Sequence, residues 1–165
     1  MKKRSITAEE LLAQLEADPE YQARRTAQEA RLSELKAVCA ADEAQLVAEL
    51  RAVGLDIDSI WDLVNNTPHP FLQRRFLGPY PTGNAVLVEH LAKPHHPRIR
   101  EGIVRALTVK DGGRAVEDAL LDQFTLEKDS GLQWVIASAL KTAMPYSRRR
   151  KLPAIAATLN RARGV

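Results

Sequence analysis

Three histidines crowd into seven residues of this chain, His90, His95 and His96, with Glu89 beside the first. Imidazole and carboxylate are ligands for zinc or iron, so a metal centre is the first chemistry to weigh. The spacing argues against it. His90 falls near the end of one predicted helix, His95 and His96 lie in the turn that follows, and adjacent histidines seldom reach the same ion. A solvated turn between helices is the better reading, and no metal or cofactor is expected. Nucleophilic chemistry finds no better support. Cys39, the single cysteine, falls in a helical seam with no neighbouring histidine to activate it. Gly-x-Ser-x-Gly, a glycine-rich phosphate loop and His-Glu-x-x-His are all missing from the sequence. Asp56, Asp58 and Asp62 suit paired-carboxylate work, but acids at a helix start are explained by capping and the helix dipole alone. The chain reads as a protein without catalytic activity.

What remains is recognition. Residues 1–67 carry a net charge of −5 and residues 68–165 a net charge of +8. A basic half attracts nucleic acid or an acidic protein, although two solvated faces need no partner at all. Its densest cluster is Arg148, Arg149, Arg150 and Lys151, which with Arg98 offers phosphate or carboxylate contacts. Aromatic contacts come from Phe71, Phe76 and Tyr80, grouped with Arg74 and Arg75 in one proline-rich loop. Trp134 lies one position off an apolar stripe and is expected to be partly exposed, a candidate contact residue.

The elements that must position these residues are helical. Ala and Leu abound and aromatics make up only 5% of the chain, a bias that favours helices over sheets. Thr7-Ala8-Glu9-Glu10 has capping-box spacing, so a first helix is expected over residues 8–17. Asp18-Pro19 reads as an N-cap followed by proline at the first helical position, and the next break is Gly54. That implies a helix of about 34 residues, roughly 50 Å long. Its apolar residues Leu32, Leu35, Cys39, Leu46, Leu50 and Val53 form a narrow seam, expected to pack within the chain. Pairing of the long helix with a second copy, giving a homodimer, is the competing reading. The run from Asp56 to Val64 reads as a short helix, with Trp61 as a core anchor. From Thr67 to Gly83 there are four prolines and two glycines, which exclude a regular helix or a central strand. Helices over about 84–92, 97–108, 113–126, 131–143 and 153–162 complete the pattern.

Within that last stretch the chain repeats itself 33 residues on. Leu87, Leu91, Ile99, Ile103, Ala106 and Leu107 recur as Leu120, Phe124, Leu132, Ile136, Ala139 and Leu140. Two amphipathic helices per unit cannot hide their apolar sides alone, whereas stacked units bury one continuous core. The segment Pro97-Arg98-Ile99-Arg100-Glu101-Gly102-Ile103-Val104-Arg105-Ala106-Leu107 resembles the second-helix signature of HEAT-like repeats: an opening proline, an aliphatic-Arg pair, and small residues leading to Ala-Leu. Ser130 to Leu140 follows it without the proline and with Gln133 in place of Arg100. The resemblance spans residues 85–144, with a half unit at 152–159. It implies a right-handed α-α superhelix of helical hairpins with a binding surface on its concave side.

The sequence therefore predicts an all-α chain forming a single domain over residues 1–165. An N-terminal helical cap over 7–66 contains the long helix, a proline-rich loop follows over 67–83, and HEAT-like repeats fill 84–165. The expected function is a non-catalytic protein-protein interaction module, an adaptor, scaffold or inhibitor-type binder, using the repeat concave surface and the proline-rich loop. Nucleic-acid binding through the basic half is the alternative. The lone cysteine fits a reducing compartment, and there is neither an N-terminal leader pattern nor a membrane-spanning stretch. A cytoplasmic protein of bacterial type is expected, with no membrane partner.

Overall fold

The computed structural model describes residues 6–68, 71 and 77–161. Among these the chain is all-helical, with no strand. The helices are α1 (Ala8–Ala17), α2 (Pro19–Ala52), α3 (Ile60–Val64), α4 (Asn84–Leu91), α5 (Pro97–Ala106), α6 (Gly113–Leu126), α7 (Ser130–Ala143), α8 (Tyr146–Arg149) and α9 (Pro153–Arg161). A single 3-10 turn, Pro81–Gly83, leads into α4. None of these helices is long and apolar enough to cross a membrane.

Local chemistry sets the element boundaries. The Thr7 hydroxyl accepts from the Glu10 amide, and the Glu10 carboxylate accepts from the Thr7 amide, which starts α1. Asp18 Oδ1 accepts from the amides of Glu20 and Tyr21, so α2 begins at Pro19 as its sequence predicts. At the other end Gly54 takes φ +93°, a left-handed conformation that suits glycine. The Leu55 amide then bonds the Leu50 carbonyl and the Gly54 amide bonds that of Arg51, closing a Schellman motif whose two leucines are both buried. The third helix starts later than its acidic run suggests, at Ile60. Asp62 accepts from the amides of Asp58 and Ser59, and the Ser59 side chain accepts from Trp61, so the cap sits at Ser59. Asp56 and Asp58 precede the helix and do not form its first turn. Trp61, expected as a core anchor, is half-buried with the Arg98 guanidinium over its ring.

The chain divides between Val38 and Cys39 into two units. In the first, residues 6–38 contain no buried residue; Leu11, Leu12 and Leu32 are about half exposed. In the second, the 33-residue repeat of the sequence becomes a packing rule. Besides pairing within each hairpin, α4 packs on α6 and α5 packs on α7, so equivalent helices of the two hairpins are neighbours. The row of α5 and α7 is flanked by α3 on one side and α9 on the other. Leu87, Leu91, Ile99, Ile103, Leu107, Leu120, Ile136 and Leu140 are buried to 2% exposure or less. Burying such a side chain contributes about 1.5–3 kcal/mol, which is why the stripe dictates the packing.

Candidate functional site

Three places in the Cys39–Val165 unit combine polar chemistry with the geometry to use it. The first is the histidine turn, and it differs from the solvated turn expected of its sequence. His90 is buried, with 1% of its surface exposed, and the His95 side chain keeps 7%. Four side chains run in a row. Glu49 Oε2 lies 3.0 Å from His90 Nε2, His90 Nδ1 lies 3.0 Å from His95 Nε2, and His95 Nδ1 lies 2.9 Å from Asp42 Oδ2. The two imidazoles stack with centroids 5.2 Å apart. Asp42 Oδ2 also accepts the His96 amide, so α2 holds the α4–α5 turn through two carboxylates set seven residues apart on one face. Hydrogen bonds from Gln45 and His90 keep the Glu49 carboxyl below its ordinary range. Among the described residues no cluster of histidine, cysteine, aspartate or glutamate has the geometry to hold a metal ion.

Cys39 is likewise placed differently from its sequence reading. Its Sγ lies 3.6 Å from His96 Nδ1, a neighbour brought from 57 positions away. That nitrogen also accepts the Arg98 amide at the start of α5, so it carries no proton of its own and the thiol donates to it. Burial pushes the Cys39 thiol up, away from the thiolate form that a nucleophile needs.

The second place is a groove of about 460 Å³ formed by α7, α8 and α9. Lys141, Arg149 and Arg150 line it together with the apolar Pro153, Ala156 and Leu159. Tyr146 projects at 71% exposure, and the Arg149 guanidinium stands over its ring, 5.7 Å from the centroid. Arg149 also donates to the Lys141 carbonyl, which fixes the guanidinium at the end of α7. Arg148, the third arginine of the sequence cluster, turns away to pair with Glu117 and Asp118 of α6. The sequence identified Arg149 and Arg150 but not Lys141, Tyr146 or Leu159. A signal for Tyr146 existed: it follows Met144-Pro145, where the proline ends α7 and leaves the ring outside the stripe.

The third place is a more apolar groove of about 450 Å³ lined by Pro79, Tyr80, Pro81, Asn84, Val109 and Lys110. Tyr80 is half-buried and its hydroxyl donates to the Ala106 carbonyl at 2.8 Å, which anchors the loop against α5. Burial raises the Tyr80 phenol above its ordinary value. The Asn66 side chain ties the two ends of the loop, donating to the Gly78 carbonyl and accepting the Leu77 amide. Phe71 is 89% exposed. Arg74, Arg75 and Phe76 lie outside the described residues.

The remaining candidates are dispersed. Trp134 is 38% exposed and lines a shallow depression of about 370 Å³ with Gln133 and Thr158. Arg98 is committed to Trp61, 5.1 Å from the ring centroid. Arg100 donates to Gln123 Oε1 at 2.6 Å and pairs with Glu127 at 2.8 Å, both on α6. It is a bolt between the two hairpins. Arg105 and Arg114 pair along their own helices with Glu101 and Asp118. No family model, no curated protein and no solved structure matches the chain.

Proposed function

We propose that this chain is a non-catalytic protein-binding module of the HEAT-like repeat kind, which receives an acidic peptide segment bearing an apolar anchor in the groove of α7, α8 and α9. The observation that carries the reading is the composition of that groove. Three cations surround an apolar floor, and among the described residues none of the three forms an ion pair. Tyrosine and arginine are among the residue types enriched at the centres of protein interfaces. Carboxylates of a partner would meet the rim, and a Leu or Phe side chain would fill the floor. The packing of α4 on α6 and α5 on α7 supports the repeat assignment.

Nucleic acid fits less well, because a phosphate backbone needs a continuous track of available cations. Arg100, Arg105, Arg114 and Arg148 are engaged in ion pairs within the chain. Fluorescence anisotropy of a labelled acidic peptide with one Leu anchor tests the reading. Saturable binding is expected with the full chain, and Arg149→Glu with Arg150→Glu should weaken it at least about tenfold. Retention of duplex DNA or RNA that falls steeply with salt, with no peptide binding, would reverse the ranking of partners.

A further inference from the structure

With both carboxylates engaged, the hydrogen bonds of the histidine row do not close with two neutral imidazoles. Glu49 and Asp42 are acceptors, so His90 Nε2 and His95 Nδ1, which face them, must each carry a proton. The contact between His90 Nδ1 and His95 Nε2 at 3.0 Å needs a third. Two neutral rings bring two protons. The charged groups around the pair are the carboxylates Asp42 and Glu49 on α2 and Glu89 on α4, and the cation Lys93, paired with Glu89 at 2.8 Å. On the far side of the row His96 presents its amide to Asp42, and its ring faces Cys39 and the Arg98 amide.

A second arrangement of the same atoms needs one proton fewer and engages Asp42 alone of the two carboxylates. Lys93 Nζ lies 3.3 Å from His90 Nε2. With two ring protons, Lys93 donates to Nε2, His90 Nδ1 donates to His95, and His95 Nδ1 still donates to Asp42. Glu49 then faces a bare nitrogen lone pair at 3.0 Å and loses its bond to His90. We propose that the His90–His95 pair is a proton-operated clasp between α2 and the α4–α5 turn: the three-proton state engages both carboxylates, and the two-proton state passes His90 to Lys93 and releases Glu49.

The sign of the pH effect follows from proton counting. Above about pH 6.5 unfolded histidines are neutral, so a folded state that keeps three ring protons binds one more than the unfolded chain. Stability must then fall as pH rises through this window; below about pH 6.5 two unfolded histidines bind four ring protons against the folded three, so stability falls on that side as well. Thermal unfolding of the full chain between pH 6 and 8.5 is the test, with Glu49→Gln as the comparison. A glutamine accommodates either arrangement of the row, since its amide can accept from or donate to His90. Wild type should lose about 3 °C in Tm per pH unit over the steepest part of the range, and Glu49→Gln should be nearly flat. Ring 15N spectra give a second reading, with three N–H groups shared by His90 and His95 at pH 6 and two at pH 8.5. A flat wild-type profile, an equal slope in Glu49→Gln, or two ring protons at pH 6 would overturn the proposal.

Discussion

Arginine supplies the clearest contrast between residues that look alike in the sequence. Arg100 and Arg149 both belong to the basic half, yet one is spent on Glu127, whose side chain is only 7% exposed, and the other rims a groove. Arg100→Ala takes the cation from Glu127 Oε2, leaving only the Lys128 and Asp129 amides on Oε1, and should cost about 2 kcal/mol, read as a lower denaturation midpoint. Arg149→Ala removes an exposed bond to the Lys141 carbonyl and should cost no more than about 1 kcal/mol, its larger effect falling on peptide binding. The histidines show how a residue type misleads. Adjacent histidines weakened the metal idea in the sequence, but the carboxylate partners of His90 and His95 stand 41 and 53 positions upstream, where no local pattern reveals them. On the acid side Glu49 contributes in the opposite sense to the clasp. Its carboxyl titrates lower folded than unfolded, so its contribution is present above about pH 4.3 and lost as pH falls through the lowered value. Acid titration of stability should be shallower in Glu49→Gln than in wild type.

Among the elements, close approach and capping do most of the positioning. A Cβ built at Gly102 of α5 would lie 2.8 Å from Ile60 Cγ2, and Ile60 is fully buried in α3. The small residue therefore sets how near α3 and α5 come. Gly102→Ala should destabilise by about 1–3 kcal/mol, measured by chemical denaturation. An unchanged midpoint would show that α3 is free to shift. Glu43 secures the same helix from the other side, since its carboxylate accepts from the Ser59 hydroxyl and the Ile60 amide. Helix boundaries at Ala8, Pro19 and Gly113 were legible because caps and glycines act over three or four residues. The four-residue α8 escaped the sequence reading because it carries no buried residue and hence no apolar period.

For the whole chain, the two units differ in what holds them. Residues 6–38 bury none of their surface to core levels, whereas α2 from Cys39 onward contributes Leu46 and Leu50 with no exposure at all. Helices this exposed open locally at little cost. Amide hydrogens of residues 22–38 should exchange at least about 100-fold faster than those of residues 43–50 of the same helix. Equal protection along α2 would mean that its first half is held by a partner, as the homodimer reading has it.

By itself the sequence determined the helical class, most helix ends and the 33-residue register, because each depends on neighbours within a few residues or on a period of 3.6. It also marked Arg148, Arg149, Arg150 and Lys151 as the densest basic cluster. Tertiary structure alone decided which cations remain available, which histidines meet carboxylates, and what Cys39 faces. Those outcomes depend on which helix lies beside which. Buried charges and polar groups must find partners wherever packing places them, and that pairing across tens of residues leaves no mark on local spacing.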